Sequence, residues 1–278
     1  MGTAKNAIII GFTIVFMFAS CGQKQKDSQA QTWLNDANEL YKNGLLDGAK
    51  QKLASIDSIY PNAFKQRKEG LVLLQKIRKQ QNDLVIAHSD SILTVLQPKL
   101  EELKKQFIFQ KDAKYQIKGV FVPKNDPSLS GNATGLRSGV IEGNNIFIES
   151  VYLGGQRHAS MKLTTKDGKS SETKNETGDG LNYRSGNVEI IRFTKMTENG
   201  IVKFISENRN IPITVTLQGK QSTSYLLSNA SKLSIKKSLQ LSDLMTEIEN
   251  AQIARYKAIS LNDYLKEKQD SIAATQAH

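Results

Sequence analysis

The chain holds 278 residues, with 38 Lys and Arg against 27 Asp and Glu for a formal charge of +11, and 38% hydrophobic side chains, enough for one large or two modest domains. Its single cysteine, Cys21, excludes a disulfide within the chain, so stability rests on apolar burial. The three histidines have no metal-ligand spacing, so neither metal nor cofactor is expected.

The N-terminus opens with Lys5 as its only charge, followed by the apolar run Ala7–Phe18. About a dozen residues suit a secretory signal and are too few to span a bilayer as a helix. The run ends in Phe18-Ala19-Ser20-Cys21. This layout resembles a bacterial lipoprotein signal: Ala19 and Ser20 fit the residues before the lipidated cysteine, and Phe18 stands where Leu is usual. The resemblance implies that residues 1–20 are removed and that Cys21 carries a diacylglyceryl thioether and an acylated amine. Two or more chains anchor stably, so the expected partner is an envelope membrane, the outer membrane first, on its periplasmic or surface side. Loss of Lys5 lowers the charge from +11 to +10. Export directs that charge toward anionic headgroups, lipopolysaccharide or acidic glycans, and away from nucleic acid. Residues 21–31 are polar and read as a flexible tether. Gln23 to Asp27 loosely resembles the surface-export signal of Bacteroidota lipoproteins, without its acidic pair.

Helical periodicity starts at Trp33. Trp33, Ala37, Leu40, Ala49, Leu53 and Pro61 fall on the offsets of a tetratricopeptide unit, with Gly44 near the turn and Ile56 continuing the inner face. The small Ala37 and Ala49 let two helices approach closely. Over Thr32–Asn62 the chain therefore resembles one such helical hairpin, of a kind that binds proteins; Asp36, Leu40 and Leu53 depart from the usual Leu, Tyr and Phe. Arrays need at least three units, so a solitary hairpin is expected. Asn62 is placed to cap a long helix marked by Leu71, Leu74, Ile77, Leu84, Val85, Ile92 and Leu96. Pro98 is expected to break or kink it before Leu100, Leu103 and Phe107 resume the pattern, giving a helical region over 32–107. His88 reads as a residue at the border of this stripe.

Over 108–228 the period becomes two. Tyr115, Ile117 and Phe121 alternate, as do Ile146 and Ile148 in Asn145–Leu153, Met161 and Leu163 in His158–Lys166, and Val188, Ile190, Ile191 and Phe193. Val202 and Phe204, then Ile213, Val215 and Leu217, then Tyr225 and Leu227 mark further strands. Gly143-Asn144, Asp167-Gly168, Asn199-Gly200 and Gly219-Lys220 supply hairpin turns. An antiparallel sandwich or barrel follows, with Lys169–Gly186 as a long mobile loop.

In the C-terminal segment 229–278 the helical pattern returns, with Ser238 or Ser242 as its start and Leu241, Leu244, Ile248, Ile253, Ile259 and Leu265 on a broad face. This helix is expected to pack back on Leu71–Phe107. The class is thus α+β, with a β-rich domain inserted between helical regions or, alternatively, three segments in series.

Catalytic patterns are few. His88, His158 and His278 form no metal pair, and neither a Gly-x-Ser-x-Gly elbow nor a phosphate loop occurs. Gly154-Gly155 reads as a turn, and Arg157-His158 as an anion contact or as the surface start of a strand. Glu142 and Glu149 flank a turn and are candidates for a hydrolase pair, which needs carboxylates about 5–10 Å apart, or for solvent-facing strand positions. Asp57-Ser58-Ile59, Asp90-Ser91-Ile92 and Asp270-Ser271-Ile272 resemble the O-glycosylation sequon of exported Bacteroidota proteins, which implies Ser58, Ser91 and Ser271 as acceptors. The Asn-x-Ser/Thr triplets at Asn132, Asn175 and Asn229 carry no such meaning in a bacterial envelope. The expected function is a membrane-anchored, non-catalytic interaction or scaffold protein with a protein or glycan partner. The alternatives are a carbohydrate-binding module that stacks sugars on Tyr152, Tyr183 or Tyr225, and a hydrolase.

Overall fold

The computed structural model describes residues 19–124, 126, 133–176 and 182–276, with side chains from Gln25 to Ser271. The apolar N-terminal run, Asn132 and His278 lie outside them. The chain is α+β, with two antiparallel sheets. It divides into two compact units. The first takes the described residues up to His88 together with those from Arg255 onward, and the second is Ser89–Ala254.

In the first unit, α1 (Ala19–Lys42) is followed by α2 (Leu46–Ile59). Gly44 ends α1 at φ +73°, a conformation that costs a side-chain-bearing residue more than glycine. The Leu45 N–H bonds the Leu40 carbonyl at 2.9 Å and the Gly44 N–H bonds the Tyr41 carbonyl at 3.0 Å, the paired bonds of a Schellman stop. Ala37 and Ala49 are fully buried, with Leu34, Leu53 and Ile56 filling the seam between the helices. The tract 22–31 lies within α1, and Ala30 is buried. Its Gln, Lys and Ala residues are good helix formers, so the helix propagates upstream of the packed stripe where a tether was expected.

Helix α3 spans Phe64–Lys104 with Pro98 inside it. Proline removes one hydrogen bond, yet Leu100 and Leu103 in the following turn pack against the core of the second unit and hold the helix on course. Asn62 sits in the turn before α3 and does not cap it. The last helix, α5, covers Asn229–Gln276. It starts earlier than Ser238 or Ser242, because Ser228 accepts the Ser231 N–H at 3.0 Å as a side-chain cap. Within the first unit α5 runs antiparallel to α3: Asn82 bonds Asn262 at 2.9 Å, and Gln269 bonds Gln75 at 3.3 Å.

Among the described residues the second unit holds ten strands: β1 (Phe107–Gln110), β2 (Val120–Pro123), β3 (Gly135–Ile141), β4 (Asn145–Leu153), β5 (His158–Thr165), β6 (Ser170–Glu172), β7 (Tyr183–Ser185), β8 (Val188–Thr194), β9 (Ile213–Gly219) and β10 (Thr223–Leu226). One sheet runs β1-β2-β3-β4-β8-β7 and the other β10-β9-β5-β6. Leu136, Val140, Ile148 and Phe193 from the first join Met161, Leu163, Val215 and Leu217 from the second in one core, closed by Ile235 and Leu241 of α5. Ser138 and Ser238 add a buried hydroxyl pair at 2.9 Å.

Four further segments differ from the sequence reading. Residues 201–207 form helix α4, not a strand: Ile201, Val202 and Ile205 are all buried, a spacing only a helix puts on one side. Tyr115 and Ile117 alternate but lie outside any strand and are exposed. The expected loop Lys169–Gly186 contains β6 and β7, with 177–181 outside the described residues. Strand β3 lies where the sequence shows no clean period of two, because Gly135, Ser138 and Gly139 interrupt its apolar alternation.

Candidate functional site

The residues singled out from sequence are scattered. Cys21 falls in the first turns of α1. Ser58, Ser91 and Ser271 are exposed on α2, α3 and α5, and Ser271 lies within the helix. His88 is exposed on α3. Tyr152 and Tyr225 pack against the core, and the Tyr225 hydroxyl is enclosed, so its pKa is pushed up by burial. Only Tyr183, 55% exposed, offers a free ring face. Tyr183 and Tyr152 lie on opposite faces of one sheet by register, and Tyr225 belongs to the other sheet, so the three make no common stacking platform. Glu142 sits in the β3–β4 turn, whereas Glu149 lies four ladder steps beyond the Ile141–Asn145 pair. At about 3.3 Å per step this separates the two by roughly 13 Å, beyond the reach of a glycosidase pair.

Glu142 is half-buried at the turn and accepts the Gly119 N–H at 2.7 Å, which holds its carboxyl below the usual range. Glu149 is not a solvent-facing position. It is 4% exposed and belongs to a row across three strands. Pairing of Arg137 with Glu149 and of Glu149 with Arg192 places all three on the sheet face opposite the core. The Arg137 Nε donates to one carboxylate oxygen at 2.5 Å, and the Arg192 Nε donates to the other at 2.7 Å. The Arg192 guanidinium also stacks 4.1 Å from the Phe147 ring centre. Phe147 in turn lies over Gly139, where a Cβ would come within 2.5 Å of its Cζ. The row lines a pocket of about 270 Å³ with Gln110, Gln116, Val120 and Val122. Two guanidiniums share one carboxylate there, leaving one positive charge in excess.

His158 is also buried, contrary to a surface strand start. Glu189 accepts its backbone N–H at 3.0 Å and pairs with its ring Nδ1, while Arg184 Nε donates to the other Glu189 oxygen at 2.6 Å. The His158 Nε2 is enclosed and has no hydrogen-bond partner among the described residues. His158 and Glu189 are each 4% exposed, and the pair ties a strand of one sheet to a strand of the other. Gly154-Gly155 follows β4, and Arg157 is exposed beside it. Among the described residues no group of His, Cys, Asp and Glu could hold a metal ion.

In the first unit a groove of about 210 Å³ lies between α2 and α3. Leu53, Ile56, Leu71 and Leu74 form its apolar floor, and Leu71 is 55% exposed. Lys50, Arg67 and Arg78 rim it against one carboxylate, Asp57, which Arg67 holds at 2.8 Å. Arg137 and Arg192 carry no sequence signal as a pair, since only the register of β3, β4 and β8 brings them to one carboxylate. The groove has no sequence signal beyond the helical pattern of the two elements that form it. No protein-family model and no curated protein matches the chain.

Proposed function

We propose that the chain is a lipid-anchored envelope protein that binds an acidic, partly apolar segment of another envelope protein in the groove between α2 and α3. The carrying observation is that groove: an apolar floor open at Leu71 and a rim of three cations to one carboxylate. Such a rim favours an acidic partner electrostatically, and the floor supplies the non-directional part of the affinity. The resemblance of Trp33–Pro61 to a protein-binding tetratricopeptide hairpin supports this reading. The signal around Cys21 supports anchoring at the outer membrane. The two sheets sharing one core are read as a sandwich that serves the same scaffold.

The test places a photo-crosslinking residue at Leu71 in native envelopes, with a second one at Thr164 on β5 as control. A discrete protein adduct from Leu71 alone, lost when Arg78→Glu is added, is expected. Equal labelling from both positions, or an adduct indifferent to Arg78→Glu, would overturn the groove. Anchoring has its own experiment: Cys21→Ala should leave the protein unprocessed or soluble. A processed form that stays with washed outer membranes would refute it.

A further inference from the structure

We propose that the pocket on the outer face of the six-stranded sheet binds the carboxylate of an acidic sugar, through Arg137 and Arg192. This site is separate from the helical groove and does not depend on it.

The argument begins with charge. Glu149 is buried on its strand and can neutralise only one of its two arginines. Arg137 and Arg192 keep 22% and 25% of their side chains exposed, so the surplus charge faces the pocket and is partly desolvated. Arg137 uses Nε toward one Glu149 oxygen, and Arg192 uses Nε and Nη2 toward the other, a geometry that fixes the plane of each guanidinium. A fixed, planar fork is suited to bidentate pairing with a second carboxylate. Stacking on Phe147 holds Arg192 in place, and Gly139 lets the Phe147 ring lie flat on the sheet. The receptor is therefore preorganised, which lowers the entropic cost of binding.

The remaining walls narrow the ligand class. Gln110 and Gln116 bring amide groups that donate to and accept from hydroxyls. Val120 and Val122 supply an apolar strip for the C–H face of a ring. At about 270 Å³ the pocket lies just below the range of drug-sized sites, and it suits one ring. A carboxylate, hydroxyls and an apolar ring face on one unit describe a uronic acid, free or within a polysaccharide. Inorganic sulfate or phosphate would use the arginines and leave the amides and valines without partners.

Titration of the full-length protein in detergent with glucuronate, glucose and sulfate, followed by calorimetry, tests this. Glucuronate is expected to bind at least tenfold more tightly than glucose or sulfate, and more weakly as salt rises. Hyaluronan, which carries the same acid in a polymer, distinguishes the sources: tighter binding per acid unit assigns the polymer, equal binding the free sugar. Arg137→Gln leaves Glu149 paired with Arg192, and should lower glucuronate affinity at least tenfold. Gln110→Leu, at the edge of the pocket, should lower it several-fold without removing an ion pair, and covers the case in which Arg137→Gln does not fold. Sulfate binding as well as glucuronate, glucuronate binding no better than glucose, or full affinity in Gln110→Leu would each overturn the proposal.

Discussion

Glu189 on β8 accepts the backbone N–H of His158 at 3.0 Å and pairs with its ring Nδ1, tying the first residue of β5 in one sheet to a strand of the other. The imidazole is enclosed on its Nε2 side, with the Tyr152 ring edge-on at 6.2 Å. Protonation would bury an N–H with no acceptor.

Stability should therefore fall in mild acid. Burial holds the His158 pKa below its ordinary 6.5, against the opposing pull of Glu189 and Glu176. The unfolded chain takes up a proton near 6.5 while the folded one resists it, so unfolding binds a proton. The contribution is complete above that value and is lost as pH falls through the folded pKa. Thermal unfolding followed from pH 7.5 to 5.5 should show a declining midpoint, with a shallower decline in His158→Gln. Identical slopes would show that another group governs this window.

The buried pair Ser138–Ser238, at 2.9 Å, links β3 to α5. Ser138→Ala leaves the partner hydroxyl buried and unpaired, at a cost of about 1–3 kcal/mol. Removing both hydroxyls should cost less than the sum of the two single changes. Urea denaturation of the three variants gives the coupling directly.

Glu149→Ala should destabilise the protein by about 3–5 kcal/mol, because two partly buried guanidiniums lose their shared carboxylate. Arg137→Gln should cost less, since Glu149 keeps Arg192. A chemical-denaturation midpoint that falls equally in both variants would contradict the shared-carboxylate arrangement.

Gly139→Ala is expected to disturb the same face. Its methyl would meet the Phe147 Cζ at 2.5 Å and the Phe121 carbonyl oxygen at 3.1 Å, so the ring must move. A loss of about 1–3 kcal/mol is expected from such overpacking, and chemical shifts of the Arg192 Nε–H should change with it.

Overpacking is also the test of the first unit. Ala37 and Ala49 are fully buried at the approach of α1 to α2, so Ala49→Leu should cost about 1–3 kcal/mol. Trp33, the sole tryptophan, packs 5.3 Å from Tyr60 and reports on this unit by fluorescence. An unchanged urea midpoint read from Trp33 would show that this seam is loose.

Much of the secondary structure was legible because its causes are local. Strand β4 matches the expected Asn145–Leu153, and Gly143, Asn144 and Gly168 adopt the positive φ that their turns demand. Failures came where a local pattern was ambiguous. Val202 and Phe204 look like alternation until Ile201 and Ile205 are counted on the same side. Tyr115 and Ile117 alternate equally well, yet no neighbouring strand takes them up. The extent of α5 depended on Ser228, a cap ten residues upstream of Ser238, the earlier of the two serines expected to start the helix.

By itself, the sequence determined the α+β class, the order of helical and β segments and the turns between many strands, since periodicity and backbone preference act over a few residues. Tertiary structure alone decided which polar groups are buried and what they meet. Arg137 and Glu149 are 12 residues apart, and Glu149 and Arg192 are 43 apart. They share a carboxylate because the register of β3, β4 and β8 sets them side by side, and register depends on pairing between distant segments. The same long-range pairing encloses His158 against Glu189, whereas the length of β4 by itself keeps Glu142 from Glu149.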